Sequence, residues 1–260
     1  MKADDERKPV QTMGESDASR IVVRGHDLCD LIGEVDFGGM VFLELVGRLP
    51  SEAENKMVNA VLVTLVEHGI TANSLVTRLT YLASPEALQG AVAAGLLGAG
   101  SNFLGAIEGC AKVLQDLAAG DLDERERRVT AYVEEMRESG GRIPGIGHPV
   151  HKPDDPRTLK LYALADSLGF DDAHRGLSKE LSAVAERVYE RQLPINADGA
   201  IAAVLSDVGF PWEVCRGFAV IARSAGLVGH IWDERRRPIA RHLWAVAEET
   251  VAYEDPKADF

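Results

Sequence analysis

The chain has 260 residues, enough for one large domain or for one domain with a smaller lobe, and enough to bury a sizeable core. Lys and Arg number 28 against 41 Asp and Glu, so the formal net charge is −13, which argues against nucleic acid or an anionic membrane surface as a partner but not against small anions. Hydrophobic residues make up 46%, which excludes wholesale disorder, and Cys29, Cys110 and Cys215 are too few and too scattered for a disulfide framework or a zinc knuckle. Reduced thiols in a cytoplasmic protein are the matching expectation.

Residues 1–19 are polar and charged, with no apolar stretch of signal-peptide type, and read as a flexible tail. Arg20 to Arg24 (RIVVR) has clear strand character, and from there the chain reads as helices. Phe37 to Val46 is the first. Ser51 to Glu67 is the second: Met57, Ala60, Val61 and Leu65 form one stripe, while Val58, Leu62 and Val66 make its other faces apolar, as in a buried helix. Ser51 with Glu52 and Glu54 behind it predicts an N-terminal cap. Ala72 to Leu82 follows, and Ser84-Pro85-Glu86 predicts another helix start, with Pro at its first position. The longest uncharged run, Ala87 to Ile107, holds several glycines with Gln89, Ser101 and Asn102. It reads as a helix buried inside the protein rather than as a membrane span. Gly105 to Ala118 and Asp123 to Ser139 continue the pattern. A loop dense in Gly, Pro and His runs from Pro144 to Pro156, and Asp155-Pro156-Arg157 opens a helix to about Leu168. His174 to Gln192, Ala197 to Asp207 and Pro211 to Trp232 are the last predicted helices, the final one broken at its glycines. The expected fold class is all-α.

Four places stand out from this apolar background. EHGITANS (67–74) sits where one helix ends and the next begins. PGIGHPVHKPDDPR (144–157) combines glycines with His148, His151, Lys152 and Arg157. PINADG (194–199) brings Asp198 to a helix start, and Arg223 lies in the apolar run Phe218 to Val228. Each has an ordinary structural explanation. His68 suits a helix C-terminus, Asp198 an N-cap, Arg223 a buried carboxylate partner, and the His148 loop a surface turn. The loop is the hardest to explain that way, because Gly145 and Gly147 let backbone approach a ligand while His148, Lys152 and Arg157 supply an acid–base group and two cations. His148 and His151 lack the further ligand cluster that a metal requires, so no metal is expected. Gly98-Ala99-Gly100 is no dinucleotide fingerprint, and Arg235-Arg236-Arg237 reads as a solvated run.

GIGHPVHKPDDPR resembles the loop of the citrate synthase superfamily, a Gly-x-Gly-His followed by Arg in Asp-Pro-Arg. EHGITANS, PINADGAI, IARSAGLVGH and RIVVRGHDLCDLIG resemble four other segments of that family, in the same order along the chain. The resemblance implies that His148 holds the oxo-acid carbonyl, or the alcohol it becomes, and moves its proton. It implies that Asp198 exchanges the proton on the acetyl methyl group of a CoA thioester. His68, Arg157 and Arg223 would bind the oxo-acid, and Arg241 would reach the site of a partner subunit. Ile143, Gly145, Ile146 and Gly147 would lie beside the CoA adenine, with Lys152 where a phosphate-binding cation is usual.

Citrate synthases usually carry a His in Pro-Leu-His-Gly after the small-residue run. Here the stretch is Gly98 to Gly105 without histidine. In this it is more similar to the citryl-CoA lyase branch, including the lyase module of ATP-citrate lyase. Ser101 and Asn102 replace that branch's Asp-Arg pair, and Asn102 becomes a candidate to steady the enolate oxygen. The implied activity is cleavage of citryl-CoA, or a related 3-hydroxy-acyl-CoA, to acetyl-CoA and oxaloacetate, with the thioester as substrate and no tightly bound cofactor. The alternatives are a citrate or 2-methylcitrate synthase-like condensing enzyme and a non-catalytic acyl-CoA-binding subunit. The resemblance further implies a large helical domain from 20–104 and 210–260, a small one from 105–209, and a homodimer or higher homo-oligomer.

Overall fold

The computed structural model describes residues 9–255, apart from 121, 149 and 150 and the side chains of 102 and 122. By their contacts the residues divide into two compact units, 1–60 and 61–260.

The first unit opens with a three-stranded antiparallel sheet of β1 (Gly14–Ser16), β2 (Ile21–Val23) and β3 (His26–Asp27). Val22 of β2 faces Glu15 on one side and Asp27 on the other. The predicted strand RIVVR is thus the central one. The tail expected over residues 1–19 is corrected at Gly14–Ser16, whose backbone groups find partners on β2. Residues 1–8 lie outside the described residues. Two helices follow, α1 (Leu28–Leu31) and α2 (Phe37–Val46), and then α3 (Glu52–Leu65), inside which the division between the units falls. Asp36 caps α2 by accepting from the Gly39 amide at 2.8 Å, and it also accepts from Asn55 and Asn59 of α3. Ser51 and Glu54 form the predicted cap reciprocally: the Glu54 amide donates to Ser51 Oγ at 3.3 Å, and the Ser51 amide donates to Glu54 Oε2 at 2.7 Å.

The second unit holds α4 (Ala72–Ala83), α5 (Leu88–Leu97), α6 (Gly100–Phe103), α7 (Gly105–Ala118), α8 (Arg125–Glu138), α9 (Pro156–Ser167), α10 (Ala173–Tyr189), α11 (Ala197–Val208), α12 (Trp212–Arg236) and α13 (Ala240–Thr250). The chain is all-α apart from the small N-terminal sheet, as expected. Its helices pack as two groups. α11 lies against α7, α9 and α10, and α8 against α10. α12 lies against α4 and α5, and joins the groups through α7.

α11 is the centre of the first group. Its small side chains let neighbours approach on all sides, and every residue from Gly199 to Ser206 is buried. A buried guanidinium fastens α10 to it. Arg175 Nη1 donates to Asp207 at 2.8 Å, both side chains are 1% exposed, and Asp207 also accepts the His174 amide.

Two further expectations are corrected. Ser84-Pro85-Glu86 forms a turn, in which the Ala87 amide donates to Ser84 O at 3.1 Å, and α5 begins only at Leu88. The uncharged run Ala87 to Ile107 is not one buried helix. It breaks around Gly98–Gly100, among its described side chains only Ala91, Gly95, Ala99 and Ile107 are buried, and Leu97 is 84% exposed. A run apolar on every face has no preferred side to bury, so composition alone could not show which side packs. α12, in contrast, runs unbroken through its glycines. At Gly226 a side chain would overlap the Val66 carbonyl, so that glycine serves close packing rather than a break. α12 is long and apolar enough to cross a membrane by length and composition, yet it is packed by four helices of the second unit.

Candidate active site

The site is built at the start of α11. The segment before it lies antiparallel to the Gly-rich loop: Ile146 pairs with Ile195, the Gly147 amide donates to Pro194 O at 2.7 Å, and the Asn196 amide donates to Gly145 O at 3.0 Å. Asn196 then caps the helix, accepting from the Gly199 amide, and its Nδ2 donates to Gly147 O at 2.9 Å. Because Asn196 is the cap, Asp198 is not, and the ordinary explanation for Asp198 fails.

Gly145 (φ +77°) turns the loop in the left-handed region and packs on Gly199, where a side chain would stand 2.6 Å from Gly199 Cα and from Cys110 Sγ. At Gly199 an added Cβ would overlap the Gly145 carbonyl. Gly199→Ala is therefore expected to cost about 2–3 kcal/mol of stability, measured by chemical denaturation, because neither backbone can yield without moving the other.

The start of α9 joins the same point. Asp155, completely buried, caps α9 and takes four hydrogen bonds: from the Arg157 amide and Nε at 3.0 Å, from Arg157 Nη2 at 2.7 Å and from the Ala197 amide at 3.1 Å. One carboxylate thus locks α9 to α11. Burial pushes the Asp155 carboxyl up, but the Arg157 hydrogen bonds outweigh this and hold it below the usual range. With Nε and Nη2 committed, Arg157 presents its Nη1 corner outward, 3.4 Å from His68 Nδ1.

His68 is exposed in the 67–71 loop and caps no helix carbonyl among the described contacts, so its ordinary explanation fails too. Arg223, on α12, feels the charges of Glu67 and Asp198. Burial disfavours its charge, Glu67 and Asp198 favour it, and its buried Nε has no hydrogen-bond partner among the described residues. Burial also pushes the Asp198 carboxyl up, while Arg157, His68 and Arg223 restrain the shift. Asp198, His68, Arg157 and Arg223 therefore share one electrostatic neighbourhood.

His148 belongs to it through Arg157 and His68, and burial followed by His151 lowers its basicity. Its Nδ1 accepts the His151 amide at 2.9 Å, so the neutral ring carries its proton on Nε2. The donor atoms of His148, His151 and Asp155 lie within 4.8 Å of one another. Both Asp155 oxygens and His148 Nδ1 are already occupied by hydrogen bonds, so the trio has little left for a cation.

Ile143 and Gly145 are buried, Ile146 and Gly147 line the same loop, and Lys152 is exposed beyond it. Arg241 is exposed at the start of α13, and among the described residues no hydrogen bond or ion pair joins it to the other site residues. The Asn102 side chain lies outside the described residues. The sequence reading missed the lock made by Asp155 and the charge that Glu67 sets beside Arg223. The signals were there: Asp155 precedes a proline at a helix start, and Glu67 adjoins His68. Chemically, a desolvated carboxyl, a neutral imidazole and two guanidinium groups suit proton transfer on a polycarboxylate.

The family model described as citrate synthase, C-terminal domain, matches residues 36–242. ATP-citrate synthase subunit 1 of Sordaria macrospora is 28% identical over 263 residues, covering 92% of this chain and 38% of the relative. The chain thus spans well under half the length of such curated relatives. The solved structure of citryl-CoA lyase from Hydrogenobacter thermophilus is similar with a TM-score of 0.84 at 32% identity, covering 96% of this chain and 95% of that one. ATP citrate lyase from Methanothrix soehngenii, solved with citrate and coenzyme A, has the same fold over 97% of this chain and 43% of its own, with a TM-score of 0.81 at 24% identity.

Proposed function

The chain belongs to the citrate synthase family, and we propose that it cleaves citryl-CoA, or a related 3-hydroxy-acyl-CoA, to acetyl-CoA and oxaloacetate. The observation that carries this reading is the desolvated Asp198 carboxyl set among Arg157, His68 and Arg223, with His148 beside them. The likeness to citryl-CoA lyase over nearly the whole of both chains supports it.

In the cleavage direction the substrate hydroxyl gives its proton to His148. The carbon–carbon bond breaks, and its electron pair moves into the thioester as an enolate. Asp198 then delivers a proton to the enolate carbon, leaving acetyl-CoA and oxaloacetate. With its proton on Nε2, His148 is a donor suited to holding the oxaloacetate carbonyl. To act as the base it carries the proton on Nδ1 instead and releases the His151 amide. Arg157 Nη1, Arg223 and His68 bind the oxo-acid carboxylates, and Asn102 steadies the enolate oxygen. The loop Ile143 to Gly147 receives the CoA adenine and Lys152 a phosphate.

The packing of α7 to α11 on one another supports a lobe of residues 105–209 that closes over substrate. We assign the protein as a cytoplasmic homodimer with Arg241 completing the partner's site. Supporting this are the free Cys29, Cys110 and Cys215 and the large apolar side chains left exposed at Leu97 and Phe103.

The test is oxaloacetate release from synthetic citryl-CoA without ATP, followed through NADH oxidation by malate dehydrogenase. Release at ordinary enzyme rates, on the order of 1–1,000 per second, is expected. A folded protein that binds CoA and releases nothing would overturn the assignment.

A further inference from the structure

Behind the oxo-acid end of the site runs a chain of polar groups that the mechanism does not use. Arg78, on α4, is 3% exposed. Its Nε donates to His230 Nδ1 at 3.1 Å, Nη1 to Glu234 at 2.7 Å and Nη2 to Asp233 at 2.8 Å. A guanidinium can only donate, so His230 Nδ1 accepts and the ring proton sits on Nε2. That nitrogen donates to Glu67, whose carboxylate oxygens are 3.2 Å away. Glu67 Oε1 in turn accepts the amides of His68 at 3.0 Å and Gly69 at 2.5 Å.

The chain has a direction that fits a purpose. The Glu67 side chain is 51% exposed and would sample several rotamers if left alone. Held by a buried imidazole, it instead fixes the two amides that set where the His68 ring stands. Arg78 has a second arm. Glu234 accepts the Ile239 amide at 3.0 Å and the Ala240 amide at 2.9 Å, the turn that starts α13 and leads into Arg241. One buried guanidinium therefore ties down two backbone segments, one carrying the proposed oxo-acid ligand His68 and the other Arg241, proposed to complete the partner's site.

We propose that Arg78, acting through His230 and Glu67, is a positioning residue for the oxo-acid end of the site and not for the CoA end. This rests on the lyase reading above. The experiment compares His230→Leu, which removes both hydrogen bonds, with His230→Gln, which keeps one acceptor and one donor. Oxaloacetate and CoA affinities are measured separately by calorimetry, and amide hydrogen exchange is followed over residues 67–71.

His230→Leu is expected to weaken oxaloacetate binding about tenfold, leave CoA affinity within about twofold and speed exchange at residues 68 and 69. His230→Gln is expected to stay within about threefold of the wild type for oxaloacetate. If His230→Leu does not fold, Glu67→Ala, at a half-exposed position, is expected to show the same selective loss. Unchanged oxaloacetate affinity would overturn the proposal. So would a parallel loss of oxaloacetate and CoA affinity, or a glutamine variant as defective as the leucine one. A wild-type protein that binds CoA but no oxaloacetate would instead overturn the lyase reading. Faster exchange at residues 68 and 69 in the leucine variant would then still separate the relay from it.

Discussion

Asp198→Asn is expected to lower kcat for citryl-CoA cleavage by about a thousandfold while leaving CoA affinity within about twofold. The side chain keeps its volume, so binding surfaces survive, but the amide cannot deliver a proton to the enolate carbon. Asp198 lies in the first turn of α11, where burial raises its pKa against the pull of Arg157, His68 and Arg223. A carboxyl that keeps its proton to higher pH is better suited to act as the acid in the protonation step.

The same shift has a stability consequence with a definite sign. The folded carboxyl binds its proton more tightly than the unfolded one. The wild type therefore loses stability relative to the neutral amide as pH rises above the usual carboxylate range and through the folded pKa. Asp198→Asn should melt higher than the wild type at pH 7, and the gap should close in acid as the carboxyl protonates in both states. A variant retaining more than a tenth of wild-type kcat would remove Asp198 from the proton-transfer role.

Arg157→Leu is expected to act on binding and on folding at once. On the binding side, loss of the outward Nη1 corner should weaken oxaloacetate about a hundredfold. On the folding side, the two side-chain hydrogen bonds to the fully buried Asp155 disappear, leaving a buried carboxylate held only by the backbone amides of residues 157 and 197. Arg157 is itself 29% exposed, so water reaches part of the vacated space, and the cost should be about 3 kcal/mol by chemical denaturation.

The pH dependence separates this from general damage. The wild-type Asp155 carboxyl is held low, so its contribution is present above the unfolded pKa and is lost as pH falls through the folded one. The gap between wild type and variant should therefore narrow in acid. Combining Asp155→Asn with Arg157→Leu should recover much of the stability without recovering oxaloacetate binding. Full recovery of both, or of neither, would show that the two roles of Arg157 are not separable in this way.

The sequence by itself determined the helical class, because apolar periodicity, caps and prolines are local signals read within a few residues. Ser51 with Glu54, Asp155 before Pro156 and the run from Ala197 all became the elements their local chemistry required. It also determined which residues were unusual enough to carry chemistry, since His68, His148, Arg157, Asp198 and Arg223 each stood out in an apolar helical setting. What only the tertiary structure decided is what each of them faces. Asn196 rather than Asp198 caps α11, so the Asp198 carboxyl is not spent on the helix end. Asp155 spends its oxygens on Arg157 and Ala197, residues two and 42 positions away, and the second of these contacts exists only once α9 meets α11. Arg78 meets Glu234 across 156 positions. The uncharged run of residues 87–107 shows the same limit from the other side: apolar on every face, it carried no local mark of which face would be covered, and Leu97 emerged exposed. Helix formation depends on neighbours within a turn, whereas burial, pairing and the pKa of a buried acid depend on groups that the chain brings close only by folding.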